Sequence, residues 1–107
     1  AGMDMDAKQV YVTDAKGVIF ALDKESGASI WQLDKLVTRI PTRPLALGEV
    51  VIVGDSEGLV HALRSDNGSL VGRTKTDGSA IRTDPVRSAT GFVVQTVNGG
   101  IYAMAVH

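Results

Sequence analysis

The chain repeats itself every 41 residues, and that spacing constrains its fold more than any single residue does. Val10-Tyr-Val-Thr-Asp-Ala-Lys-Gly17-Val-Ile-Phe-Ala-Leu-Asp-Lys-Glu-Ser-Gly27 returns as Val51-Ile-Val-Gly-Asp-Ser-Glu-Gly58-Leu-Val-His-Ala-Leu-Arg-Ser-Asp-Asn-Gly68, so 58 − 17 and 68 − 27 both equal 41. The same offset links Asp14 to Asp55 and Pro44 to Pro85, and runs on from Gly58 and Ala62 to Gly99 and Ala103. Inside each copy, apolar residues alternate with period 2 between glycine-bearing turns, which is the pattern of short antiparallel strands. A strand-filled repeat of this length reads as the blade of a β-propeller. The expected fold is all-β, a propeller segment built of four-stranded antiparallel blades.

The repeat also orders the strands. Gln9–Thr13, Val18–Leu22 and Ala28–Leu33 are expected in the first copy, with turns at Asp14–Gly17 and Lys24–Gly27. Val50–Val53, Leu59–Leu63 and Ser69–Thr74 are expected in the second, and Phe92–Thr96 and Ile101–Val106 in the third. An inner strand leads each copy, at about 1–6, 42–47 and 83–87. Blades then run over about 1–41, 42–82 and 83–107, and the last one lacks its outer strand. Two longer connections, Asp34–Pro41 and Thr76–Arg82, carry the chain from one blade to the next and are the expected seat of functional contacts.

A single sheet leaves one apolar face wet, so a blade needs neighbours. Since 107/41 is about 2.6, and propellers close with roughly four to eight blades, the chain is expected to be a segment of a longer polypeptide. His107 is then expected near the end of that polypeptide, and the isolated segment is expected to self-associate through its open face and edge.

Net charge of −1 gives no electrostatic footprint for nucleic acid. Absence of cysteine excludes a disulfide framework, a thiol nucleophile and a thiolate metal site within these residues.

Ala21-Leu-Asp23-Lys-Glu-Ser26-Gly27-Ala-Ser-Ile-Trp31 resembles the quinoprotein-type propeller repeat. Its residues read as structural: Asp23 bonds turn amides, Gly27 supplies a positive φ, and Trp31 packs flat on the adjoining blade with its N–H on a carbonyl. Gly17, Gly58, Gly68 and Gly99 belong to the same structural set. In the second copy Arg64 replaces the aspartate and Gly72 the tryptophan. Enzymes and non-enzymes share this repeat, so a fragment of a quinone-dependent dehydrogenase stays open as an alternative. A propeller that grips extended substrate strands is another.

A sharper resemblance rests on Leu36-Val-Thr-Arg-Ile-Pro-Thr-Arg-Pro44 and Val50-Val-Ile-Val-Gly-Asp-Ser-Glu-Gly58-Leu-Val-His61. Asn67-Gly68, Thr83-Asp-Pro85 and Gly100-Ile-Tyr-Ala-Met104 extend it. Together they resemble the C-terminal blades of the BamB family, the propeller lipoproteins of the outer-membrane β-barrel assembly machinery. The resemblance implies a ring of about eight blades, a non-enzymatic scaffold, and no cofactor. It also implies a place at the periplasmic face of the Gram-negative outer membrane, held there by a lipid on an N-terminal cysteine outside this segment. The implied partners are the periplasmic region of the BamA barrel component, other proteins of the machinery, and unfolded outer-membrane clients. Family contacts to BamA lie chiefly in earlier blades, so no partner-binding residue is carried across.

Among other candidates, Asp14 and Asp55 read as turn caps, and Asp23, Glu25, Asp55 and Glu57 lack the ligand density of a calcium loop. Gly54–Gly58 joins two strands and has no helix N-terminus to hold phosphate. His61 aligns with Phe20 and Tyr102 and reads as filling an aromatic slot. Ser56 and Ser65 have no identifiable catalytic partners. Arg39, Arg43, Arg82 and Arg87 gather at the connections, and Leu36, Arg39 and Arg82 are the expected apolar and basic rim for a protein partner. No catalytic, metal or cofactor residue is assigned.

Overall fold

The computed structural model describes residues 2–105. His107 and the ends of the first and last expected strands, at Ala1 and Val106, lie outside them. Three antiparallel sheets follow one another. The first comprises β1 (Gly2–Met5), β2 (Gln9–Thr13), β3 (Ile19–Asp23) and β4 (Ser29–Leu33), in that spatial order. The second comprises β5 (Leu45–Leu47), β6 (Val50–Gly54), β7 (Leu59–Arg64) and β8 (Leu70–Lys75). The third holds β9 (Val86–Arg87), β10 (Gly91–Gln95) and β11 (Ile101–Ala105). The strands expected from alternation form, and the inner ones are shorter than expected. Pairing starts only at Leu45 and Val86, because Pro44 and Pro85 have no N–H to give a ladder.

Both complete sheets carry the same irregularity, one repeat apart. Register slips between Ala21 and Leu22 against β4, and between Ala62 and Leu63 against β8. The extra residues, Ile30 and Val71, are 41% and 52% exposed. A bulge of this kind bends an outer strand and increases its local twist.

Two apolar seams lie between the sheets. The first gathers Tyr11, Ile19, Ala21 and Trp31 of the first sheet against Val51, Val53 and Leu63 of the second. The second gathers Leu45, Ile52 and Val60 against Phe92 and Val94 of the third, with Ile81 between them. At the inner strands a polar chain crosses all three sheets. Ala46 donates its N–H to Asp4 Oδ2 at 2.8 Å, and Arg87 Nη2 reaches both the Ala46 carbonyl at 2.7 Å and Asp4 Oδ2 at 3.2 Å.

Candidate interaction rim

One end of the molecule is built from the β2–β3, β6–β7 and β10–β11 turns together with the two connections. Each turn closes in the same way. Asp14 Oδ1 accepts the N–H groups of Lys16 and Val18, and Asp55 Oδ1 those of Glu57 and Leu59, while Thr96 Oγ1 accepts from Gly100. The turns are stitched to the connections by backbone bonds: Ser56 N–H to Arg39 carbonyl at 2.7 Å, Thr76 N–H to Gly58 carbonyl at 3.0 Å, and Val97 N–H to Ala80 carbonyl at 2.9 Å. A side chain at position 58 would drive its Cβ to 2.7 Å from the Ser79 carbonyl, so Gly58 is what allows this close seating. Gly17 and Gly99 close the corresponding turns of the other sheets.

Asp55 does more than its counterpart Asp14. It is wholly buried, and its Oδ2 lies 2.6 Å from His61 Nε2 and 3.5 Å from Arg39 Nη1. Arg39 also pairs with Glu57. Burial pushes the Asp55 carboxyl up, but the bonds from His61 and the Leu59 and Glu57 amides outweigh it and hold the group below its ordinary value. His61 occupies the slot of Phe20 and Tyr102 and is fully buried, yet it is also the polar partner of Asp55. Its Nδ1 has no hydrogen-bond partner among the described residues. With no open face on the ring, this group is a brace for the rim and offers no reachable base.

The expected interaction residues separate. Leu36 is only 3% exposed and packs into the first seam, so it is a core residue, and the expectation that it shows an apolar rim to a partner is corrected. A short 3₁₀ turn, Val37–Arg39, folds the connection back and turns Leu36 inward. Arg39 is about one-third exposed and spent on Asp55 and Glu57. Arg82 is exposed and lines a cleft of about 300 Å³ with Ile40, Arg43, Ser56 and Asp84. Of the exposed apolar groups on these connections and turns, which include Val37 and Val97, Ile40 at 71% is the most exposed, and sequence reasoning passed over it.

The opposite end locks the first two sheets. Trp31 is 8% exposed, its indole N–H donates to the Ser65 carbonyl at 2.8 Å, and its ring lies against Gly68. A Cβ on Gly68 would fall 2.5 Å from Trp31 Cε3. Gln9 Nε2 reaches the same Ser65 carbonyl, and Tyr11 donates its hydroxyl to Asp6 at 2.6 Å. Burial, and then the bond to Asp6, push the Tyr11 phenol well up. Gly27 closes the β3–β4 turn, where Asp23 Oδ1 accepts from Glu25 and Ser26. Among the described residues no three His, Cys, Asp or Glu side chains converge as a metal group.

The model of the outer membrane protein assembly factor BamB family matches residues 1–107, the whole chain. The chain belongs to the BamB family. The BamB of Burkholderia pseudomallei is 41% identical over 102 residues, which covers 95% of this chain and 27% of that protein. The chain thus spans about a quarter of the length of the curated relatives it matches. The crystal structure of BamB from Moraxella catarrhalis superposes with a TM-score of 0.84 at 25% identity, over 92% of this chain and 29% of that one. Quinohemoprotein alcohol dehydrogenase from Comamonas testosteroni superposes with a TM-score of 0.71 at 19% identity, over 87% of this chain and 16% of that one, a likeness of fold alone. The BamB family is one of assembly factors rather than enzymes.

Within this BamB-family segment, the signals for what was missed are small. The six-residue step from Asp55 to His61, where Asp14 is followed by Phe20, marks the buried pair. Nothing local marks Ile40, because Ile81 stands at the same point of the repeat, 81 − 40 = 41.

Proposed function

We propose that the chain forms part of a non-enzymatic scaffold for outer membrane protein assembly, with its sheets as successive blades over residues 1–41, 42–82 and 83–107. The family match along the whole chain carries this reading. The stacked sheets supply a rigid platform, and the rim of connections and turns orients a protein partner. In the full-length protein that partner is the periplasmic region of the BamA barrel component, and the site of action is the periplasmic face of the outer membrane, with a lipid anchor holding the protein there. Arg82 contributes an exposed cation to this rim, and Arg39 holds its shape.

The test is co-purification of the barrel component with full-length protein carrying Arg39→Ala and Arg82→Ala. Recovery should fall several-fold, in line with arginine's weight in interfaces. Unchanged recovery would remove the rim from the contact.

A second reading has one observation behind it. All six residues of the edge strand β8 are exposed, a surface onto which an extended client strand can add. Titration of extended peptides against the intact protein, followed by amide signals of Leu70–Lys75, separates strand addition from rim docking.

A further inference from the structure

Ile40 and Ile81 occupy the same point of the repeat, yet one is displayed and the other hidden. Ile81 is 1% exposed and sits in the second seam, its N–H on the Asp55 carbonyl at 2.9 Å. Ile40 is 71% exposed and takes φ 51° and ψ 68°. It is the only non-glycine residue with positive φ among those described. The left-handed region is costly for any L-residue and most of all for a β-branched one. Such a conformation persists only where the surroundings over-determine it.

The surroundings here do so from both sides. On one flank, Arg39 gives its carbonyl to Ser56 and its guanidinium to Asp55 and Glu57. On the other, Thr42 N–H bonds the Gly54 carbonyl, Thr42 Oγ1 accepts from Gly54 N–H, and the Thr42 carbonyl accepts from Thr13 Oγ1. Strain is thus spent on turning an isoleucine toward water, at the mouth of the 300 Å³ cleft. Arg43 and Arg82 line that cleft, and among the described residues neither guanidinium has an ion-pair or hydrogen-bond partner. A single carboxylate, Asp84, lies there too and accepts the Arg43 backbone N–H at 3.3 Å.

We infer that Ile40, with Arg43 and Arg82, forms a docking cleft for a protein segment that pairs a large apolar side chain with flanking carboxylates. It rests on reading this rim as a contact surface and names the chemistry of what docks. An apolar anchor beside unpaired arginines is complementary to such a segment. The volume suits one or two side chains, and planar guanidinium forks suit carboxylates.

The probe is a short fluorescent peptide of alternating leucine and glutamate, titrated into the full-length protein. A leucine–lysine peptide and anionic phosphatidylglycerol vesicles serve as comparisons. The acidic peptide should bind and should weaken as salt rises. Ile40→Gly and Arg82→Glu should each weaken it by about tenfold, the scale of an interface anchor. Ile40→Gly should at the same time raise the thermal midpoint, since glycine takes this backbone without crowding. Weaker binding by a more stable protein marks an anchor and not a folding defect. Failure of the wild type to bind the acidic peptide, stronger binding to the vesicles, or variants that bind as the wild type does would overturn the inference.

The same variants distinguish this result from the assembly reading. Loss of the barrel component with peptide affinity intact sinks the cleft chemistry and leaves the assembly role. Loss of peptide binding with the barrel component retained supports the cleft and removes BamA from this rim.

Discussion

The two seams are built from equivalent positions and solve the same packing problem with opposite distributions of bulk. In the first, Tyr11 and Trp31 project from the leading sheet and meet Val51 on the following one. One repeat later these positions are Ile52, Gly72 and Phe92. The large aromatic has moved from the leading face to the receiving face, and the position of the tryptophan is empty. A cleft of about 440 Å³ remains beside Gly72, lined by Val60, Phe92 and Met104 among others. The first seam is further joined by polar bonds to the Ser65 carbonyl, whereas the second and third sheets are joined at their inner strands by Arg87 Nη2 on the Ala46 carbonyl. Repetition of backbone therefore preserves the ladder and the turns, while the seam interior is free to redistribute volume.

The largest expected effect tests whether the first seam is the stronger one. Trp31→Ala in the full-length protein should cost about 4 kcal/mol, for a buried aromatic lost with its hydrogen bond. Denaturant unfolding measures it. If Phe92→Ala costs as much, the asymmetry between seams is wrong. Asp55→Ala should cost about 3 kcal/mol, because it strands His61 and two amides in a buried site. The wild-type contribution should also depend on pH. Asp55 is held below its ordinary value of 3.8, so its stabilisation is full above that value and is lost as pH falls through the lower folded-state value. The variant should accordingly show a flatter loss of stability in acid.

Gly72→Leu works in the other direction. A Cβ at position 72 meets nothing within 4 Å, and a leucine there partly fills the second seam and removes a strand glycine. The gain should be about 1 kcal/mol, read as a higher thermal midpoint. No gain would mean that the cleft collapses or is filled by other residues. Tyr11→Phe should move stability by a similar amount in the opposite direction, a loss of about 1 kcal/mol for the bonds to Asp6 and Gln9.

Much of this was legible because a ladder needs only alternation and turn chemistry, both local. The strands, the Trp31 lock on the next sheet and the Asp23 turn follow from side-chain type at a fixed spacing. The turn over Arg64–Gly68 survives the loss of its aspartate because the backbone bonds repeat, with Gly68 N–H on the Arg64 carbonyl at 2.9 Å. What escaped depends on direction. Leu36 and Ile40 are both apolar residues of one connection, and only the 3₁₀ turn and the left-handed step between them decide which one faces inward. His61 and Asp55 belong to different elements, and their pairing appears only when the β6–β7 hairpin closes.

The polar chain through Asp4, Ala46 and Arg87 gives the array an unusual mechanical property. Stacked repeats ordinarily transmit disturbance only to an adjacent unit. Here one guanidinium bonds the middle sheet at Ala46 and also reaches across 83 residues of sequence to Asp4 of the first. Opening of β9 is therefore felt directly at β1, so amide hydrogens of the first and third sheets should exchange in a correlated way. Next-nearest-neighbour coupling of this kind narrows the set of partly open states through which the repeats can come apart.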